Sequence, residues 1–235
     1  MHLPVVASSP APLASSASAD GGEPGGPVRV MLLGVRVTAY AIINVAEQQR
    51  RGTVGTGAVT NPALLDRLMD LPMGIPVSDP VVWAEMAGQP CGVSERHEDG
   101  ARVTRRLESP LTVTDVVVDA ATGKELRAVQ DASLFAGFTR RWISVVSGRI
   151  PDAAVLEAKL CGVGIVDAGV VDAGVVDQGR GQLLAAEKPE GLTRDGWSWL
   201  LEEKTYGRWL SRRSGNPEKE SPARATDGAS EAGAG

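Results

Sequence analysis

Three residues in this chain have the types that metal-assisted hydrolysis uses: Asp115, Glu157 and Lys159. Two carboxylates can share a divalent cation, and a lysine beside them can orient or activate the attacking water. That chemistry needs Glu157 and Lys159 on one face, which the two-residue period of a strand provides. Asp131 is an alternative for the first acid. A second constellation pairs Asp115 with Glu125-Leu126-Arg127, with arginine in the lysine position and Glu125 next to a turn at Gly123.

The stretch Pro151–Gly162, PDAAVLEAKLCG, resembles the PD-(D/E)xK signature of metal-dependent nucleases in its letters. Its spacing differs from that signature. Asp152 stands only five residues before Glu157, which leaves no room for a strand turn between them. The same residues make a well-marked helix. Pro151 suits the first turn, Asp152 the positive end of the dipole and Gly162 the stop. Seven of the eight residues Ala153–Leu160 are strong helix formers, and only Val155 is β-branched. A helix here would bury Ala153, Leu156, Leu160 and Val163 and turn Glu157 and Lys159 to solvent. We expect the helix.

Other chemistries lack their residues. His2 lies in a polar arm and His97 beside a predicted turn, and no GxSxG elbow accompanies them. Cys91 and Cys161 are 70 residues apart and form no CxxC pair, so we expect reduced thiols rather than a zinc site or a disulfide. Gly162-Val163-Gly164 is a dinucleotide motif without its third glycine, and there is no Walker A run. No cofactor is expected, and a divalent metal only if the nuclease constellation forms.

Charge argues against a nucleic-acid or membrane surface. Residues 28–213 carry 22 bases and 23 acids, so the body is near neutral, and each flank adds −2 to the total of −5. No broad basic field results. Arginine outnumbers lysine 19 to 5, which we read with the high Ala, Gly and Val content as GC-rich coding bias. The most apolar window, Val28–Ala46, is interrupted by Arg29, Arg36 and Asn44 and is not expected to span a membrane. The first residues have no basic segment followed by an apolar core, so the expected location is the cytoplasm.

The positioning elements follow from periodicity and punctuation. Residues 1–27 and 214–235 are rich in Ala, Ser, Pro and Gly and are expected to be disordered, leaving 28–213 as one globular domain. VRVMLLGVRV reads as a strand. Ala39, Ile42, Ile43 and Ala46 then fall on one helical face, with Glu47–Arg51 as a polar, charged end. Asn61-Pro62 and Asp79-Pro80 are helix starts, and a helix–turn–helix is one reading of that pair. Strand pairs are expected around Glu98–Gly100 and around Gly123, with RRWISVVSG as a further strand. GVGIVD and GQLLAAE bracket a last hairpin, whose loop contains a five-residue repeat with Asp167, Asp172 and Asp177. We read 165–181 as a hairpin loop lengthened by low-complexity duplication.

The chain closes with a helix carrying three tryptophans, Trp197, Trp199 and Trp209. Trp199, Tyr206 and Trp209 form one apolar stripe, expected in the core or, as the binding alternative, against a protein partner or a second copy. The whole reads as α+β, with mixed or antiparallel pairing. No motif carries a function by itself. The sequence is read as a non-catalytic cytoplasmic binding or regulatory protein, with a PD-(D/E)xK-like nuclease or another enzyme as the alternative.

Overall fold

The computed structural model describes residues 23–90, 92–146, 150–169, 181–188 and 194–215. The expected disordered arm and tail, Cys91 and the second and third repeat copies fall largely or wholly outside those residues. Glu23–Pro24, inside the expected arm, forms a short strand, β1.

The architecture is α+β, with a mixed main sheet and a small second sheet. The main sheet runs β1, β3 (Val35–Ile43), β7 (Leu111–Ala120), β8 (Arg140–Val145), β9 (Gly164–Asp167) and β10 (Gln182–Leu184). β2 (Val28–Leu32) shares with β1 the free edge of β3. β7, β8 and β9 are parallel, and the other pairings are antiparallel. Parallel neighbours need crossovers, and these are the helices α4 (Glu125–Ser133) and α5 (Asp152–Leu160). The small sheet orders β4 (Pro76–Ser78), β6 (Arg102–Arg105) and β5 (Ser94–His97). Three short helices precede β5: α1 (Val45–Val54), α2 (Pro62–Met69) and α3 (Pro80–Glu85). β4 separates α2 from α3, so they form no helix–turn–helix. The last helix, α6 (Gly196–Arg213), packs on α2, β2 and β7.

Several expected elements appear with their expected signals. Asn61 and Asp79 cap α2 and α3 through their side chains, with Pro62 and Pro80 in the first turn. α5 runs between Pro151 and Gly162, whose φ of 64° needs a residue without Cβ strain. Asp195 and Ser198 close a reciprocal cap at the start of α6. β9 and β10 pair as the bracketing hairpin.

Four expectations are corrected. Residues 38–43 continue strand β3 rather than opening a helix, and α1 starts only at Val45. Ala39, Ala41 and Ile43 are buried alternately, and the helix-like spacing of Ala39, Ile43 and Ala46 is coincidental. The segment after Gly123 is helix α4 rather than the second arm of a hairpin. The buried face of α5 is Ala154 and Ala158, whereas Leu156 is 60% and Leu160 74% exposed. Small residues sit inward because α5 lies close on the sheet.

The fourth correction is in β7, where the sequence pattern predicts Thr112, Thr114, Val116 and Val118 on one face and Val113, Asp115, Val117 and Asp119 on the other, and the alternation breaks. Tyr40 pairs with Asp115 but Ala41 with Val113, so Thr114 is an extra residue in a β-bulge. Leu111 and Val113 face the main core before the bulge, and Val116, Val118 and Ala120 face it afterwards. Val117 turns to the opposite face, where it meets Trp142 and Val166. Gly164 lets Trp142 lie flat there. A Cβ on Gly164 would stand 2.2 Å from the Trp142 ring and 2.8 Å from the Ala186 backbone nitrogen.

Candidate functional site

The residues read as metal-site candidates do not converge. Asp115 is buried on β7 and is already partnered. Arg140 pairs with it at 2.9 Å and the Trp142 indole N–H donates to it at 2.9 Å. Glu157 and Lys159 lie on α5, two positions apart, so they leave the helix in nearly opposite directions. Glu157 accepts from the free thiol of Cys161, with Sγ 3.8 Å away. Asp131 pairs with Arg127 within α4, and Glu125 accepts from the Gly123 backbone at 2.9 Å. Among the described residues no group of three or more His, Cys, Asp or Glu side chains is placed to hold a metal ion. His97 stands on β5 with Nε2 2.9 Å from the Thr104 hydroxyl.

The aromatic stripe of α6 belongs to the interior. Trp199 is 0% and Tyr206 2% exposed, and Trp209 stacks on Tyr206 with ring centroids 5.9 Å apart. Trp197, on the other stripe, is the exposed tryptophan of this helix.

A different site arises where α1, β6, β7 and α6 meet. Its frame is an ionic clamp whose members sequence reasoning did not bring together. Glu47 and Arg51 of α1 and Glu203 of α6 are all buried, at 3%, 1% and 0% exposure. Arg51 donates to both Glu203 oxygens at 2.8 and 2.6 Å and to Glu47 at 2.9 Å. Arg50 donates to both oxygens of Glu47 at 2.7 Å. The Arg51 guanidinium holds Glu47 below the usual carboxylate range together with Arg50, against the burial that raises it. The remaining capacity is spent on backbone. Glu203 accepts from Val59 N, and Arg51 donates to the carbonyls of Gly57 and Glu108. Two bases and two acids balance, and the bidentate geometry is the strong form of this pair.

The clamp fixes the segment between β6 and β7. Arg51 holds the Glu108 carbonyl, and Asn44, the side-chain cap of α1, donates to the Ser109 carbonyl at 3.3 Å. Asn44 N also donates to the Pro110 carbonyl at 2.9 Å. Above this segment opens a polar cleft of about 270 Å³, lined by Asn44, Arg105, Glu108, Ser109, Thr112 and Arg194 with Met73 at its edge.

Two guanidinium groups converge on the cleft. Arg105, half-buried at the end of β6, lies over the Trp199 ring at 4.7 Å, and Arg194 lies over the same ring at 5.8 Å. Arg105 donates Nε to the Leu107 carbonyl and Nη1 to the carbonyls of Leu68 and Leu71. Among the described residues it has no carboxylate partner within ion-pair distance. Burial, and after it the nearby Arg194 charge, push its pKa down against the opposing charges of Glu108 and Glu47. Arg194 reaches a carboxylate, Glu202, at 3.2 Å.

Glu202 is the unusual acid of the molecule. It neighbours Glu203 on α6 but bonds to a residue of the cleft lining, with Ser109 Oγ 2.5 Å from its Oε2. Burial pushes its pKa up to about 7, opposed by Ser109 and Arg194 and reinforced by the adjacent Glu203. Ser109 Oγ also donates to the Leu111 carbonyl at 2.7 Å.

Sequence reasoning missed Arg105, Ser109, Arg194 and Glu202. One signal was present. Glu202 and Glu203 sit mid-helix between Leu200-Leu201 and Tyr206, so a helix buried on both stripes must turn at least one acid inward. No protein-family model, curated protein or solved structure matches this chain.

Proposed function

We propose that this is a non-catalytic cytoplasmic binding protein whose cleft takes a small anionic ligand between Arg105 and Arg194. The observation that carries this reading is Arg105. A half-buried guanidinium hydrogen-bonded to carbonyls, with no carboxylate in ion-pair contact among the described residues and a second cation across the same tryptophan, can accept an anion as a partner. The two arginines stand over Trp199, and Asn44 and Thr112 add polar donors at the rim. The volume, about 270 Å³, suits a phosphate or carboxylate group with a few attached atoms and is below the usual range for a nucleotide-sized ligand. The free thiol of Cys161 fits a reducing compartment.

The groups present support a binding role. The acid with a shifted pKa, Glu202, is tied to Ser109 and Arg194. The nuclease alternative gains no support from the helical placement of Glu157 and Lys159.

The test is a calorimetric titration of inorganic phosphate into the wild type, Arg105→Met and Arg194→Met. The wild type should bind saturably at about pH 6, and each substitution should weaken binding roughly ten- to a hundredfold, the worth of one charge-assisted hydrogen bond. Arg194 is exposed and, among the described residues, pairs only with Glu202 and the face of Trp199, so Arg194→Met separates lost binding from lost folding better than Arg105→Met does. Equal affinities in all three proteins, or no saturable binding, would overturn the proposal.

A further inference from the structure

We infer that the cleft takes up its anion together with a proton, because Glu202 and the ligand compete for Arg194. This rests on the reading of the cleft as an anion site and adds a coupling that the site does not require.

The first support is a count of protons. A serine hydroxyl has one. Ser109 Oγ lies 2.7 Å from the Leu111 carbonyl oxygen, which can only accept, and 2.5 Å from Glu202 Oε2. Both contacts are hydrogen bonds only if the second proton sits on Glu202. The geometry fits two protonation states: the neutral acid donates to Ser109, which donates to Leu111, and the ionised acid draws the Ser109 proton to itself and leaves the Leu111 carbonyl without it.

The second support is the sharing of one oxygen. Glu202 Oε2 is also the atom 3.2 Å from Arg194 Nη2. When Glu202 is neutral, that contact is a weak one and the Arg194 charge is available to the cleft. When Glu202 ionises, it becomes an ion pair on a buried carboxylate, and Arg194 is held on the helix side. The ligand and the Glu202 charge are thus alternative partners of one guanidinium.

The surroundings leave Glu202 as the group that responds near neutrality. Arg194 attracts its charge from the segment before α6, and Glu203 on α6 repels it. Arg105 and Glu108 face the same cleft from the end of β6 and the connection to β7. α1 presents Glu47 and Arg51, which are neutralised in the clamp. α2 approaches α6 at Gly196, where Asp66 lies, away from Glu202. β2 and β7 turn apolar residues to α6, and their charged residues Arg29, Asp115 and Asp119 belong to the opposite face of the sheet. Burial sets the Glu202 pKa at about 7, inside the working range of a cell.

Coupling must be reciprocal: if a proton strengthens anion binding, the anion must raise the proton affinity of Glu202 by the same factor. Sulfate is the suitable probe, because it does not change its own charge over the range in question. Sulfate affinity would be measured by calorimetry from about pH 5.5 to about pH 8.5 in the wild type and Glu202→Gln. The Glu202 carboxyl would be followed by carbon NMR with and without saturating sulfate. Wild-type affinity should fall about tenfold as pH rises, Glu202→Gln should stay flat, and sulfate should move the Glu202 midpoint upward. A wild-type pH dependence matched by Glu202→Gln, or a Glu202 midpoint unmoved by bound sulfate, would overturn the coupling while leaving the anion site in place. Absence of sulfate binding at every pH would overturn both.

Discussion

Two adjacent glutamates on α6 meet opposite fates. Glu203 enters a closed clamp, with every oxygen given to Arg51 or to the Val59 backbone. Glu202 bonds instead to Ser109 and Arg194, two residues that line an open cleft. Both carboxylates are removed from water, so both bear a desolvation cost of several kcal/mol. In the clamp, ideal bidentate geometry and matched charge offset that cost. In the cleft they do not, and the acid moves toward its neutral form. The difference shows how a structural ion network is told from a site. The network closes its own accounts, whereas the site leaves charge and donors unmatched.

The largest effect is expected from opening the clamp. Glu203→Ala would strand Arg51 in the core and cost about 3–5 kcal/mol, read from urea unfolding. A loss below about 1 kcal/mol would mean that the clamp does not hold α1 to α6. Gly164→Ala tests the opposite face of the sheet. Its Cβ would strike the Trp142 ring and the Ala186 backbone, and a loss of roughly 2–3 kcal/mol is expected.

Glu202 sharpens the contrast, because its folded pKa is raised rather than lowered. The native state then holds more protons than the unfolded chain between the ordinary glutamate range and about pH 7. Stability contributed by this group is full at low pH and is lost as pH rises toward about 7, by on the order of 2–3 kcal/mol. Glu202→Gln should abolish that slope and match or exceed the wild-type melting temperature at alkaline pH. A lower melting temperature for Glu202→Gln at alkaline pH would contradict the account. At the small end, Glu157→Ala and Lys159→Ala on α5 should each change stability by less than about 0.5 kcal/mol and leave phosphate binding unaltered.

Much of the fold was legible because its punctuation is local. Pro151, Asp152 and Gly162 mark α5, and the same marks overturn the nuclease spelling between them. Asn61-Pro62 and Asp79-Pro80 mark α2 and α3. The errors have tertiary causes. β3 reads as a helix because Ala39, Ile43 and Ala46 happen to repeat every three or four residues. Its neighbours β2 and β7 make it a strand. Arg51 reads as solvated because its partner Glu203 is 152 residues away. The bulge at Thr114 leaves no local mark, yet it decides which residues of β7 face the core. The cleft was the least legible part. Asn44, the 105–109 stretch that carries Arg105 and Ser109, and Arg194 come from three separate segments, and only the fold brings them together with Glu202.

The central claim is that Arg105 lacks a counter-ion that a ligand supplies. The most direct measurement follows the Nε–Hε resonances of Arg105 and Arg194 by nitrogen–proton NMR during a phosphate titration. Saturable shifts of both resonances, with a common midpoint that weakens in Arg194→Met, are the predicted result. Shifts spread evenly over the surface arginines, or an Arg105 resonance that does not respond, would contradict the account.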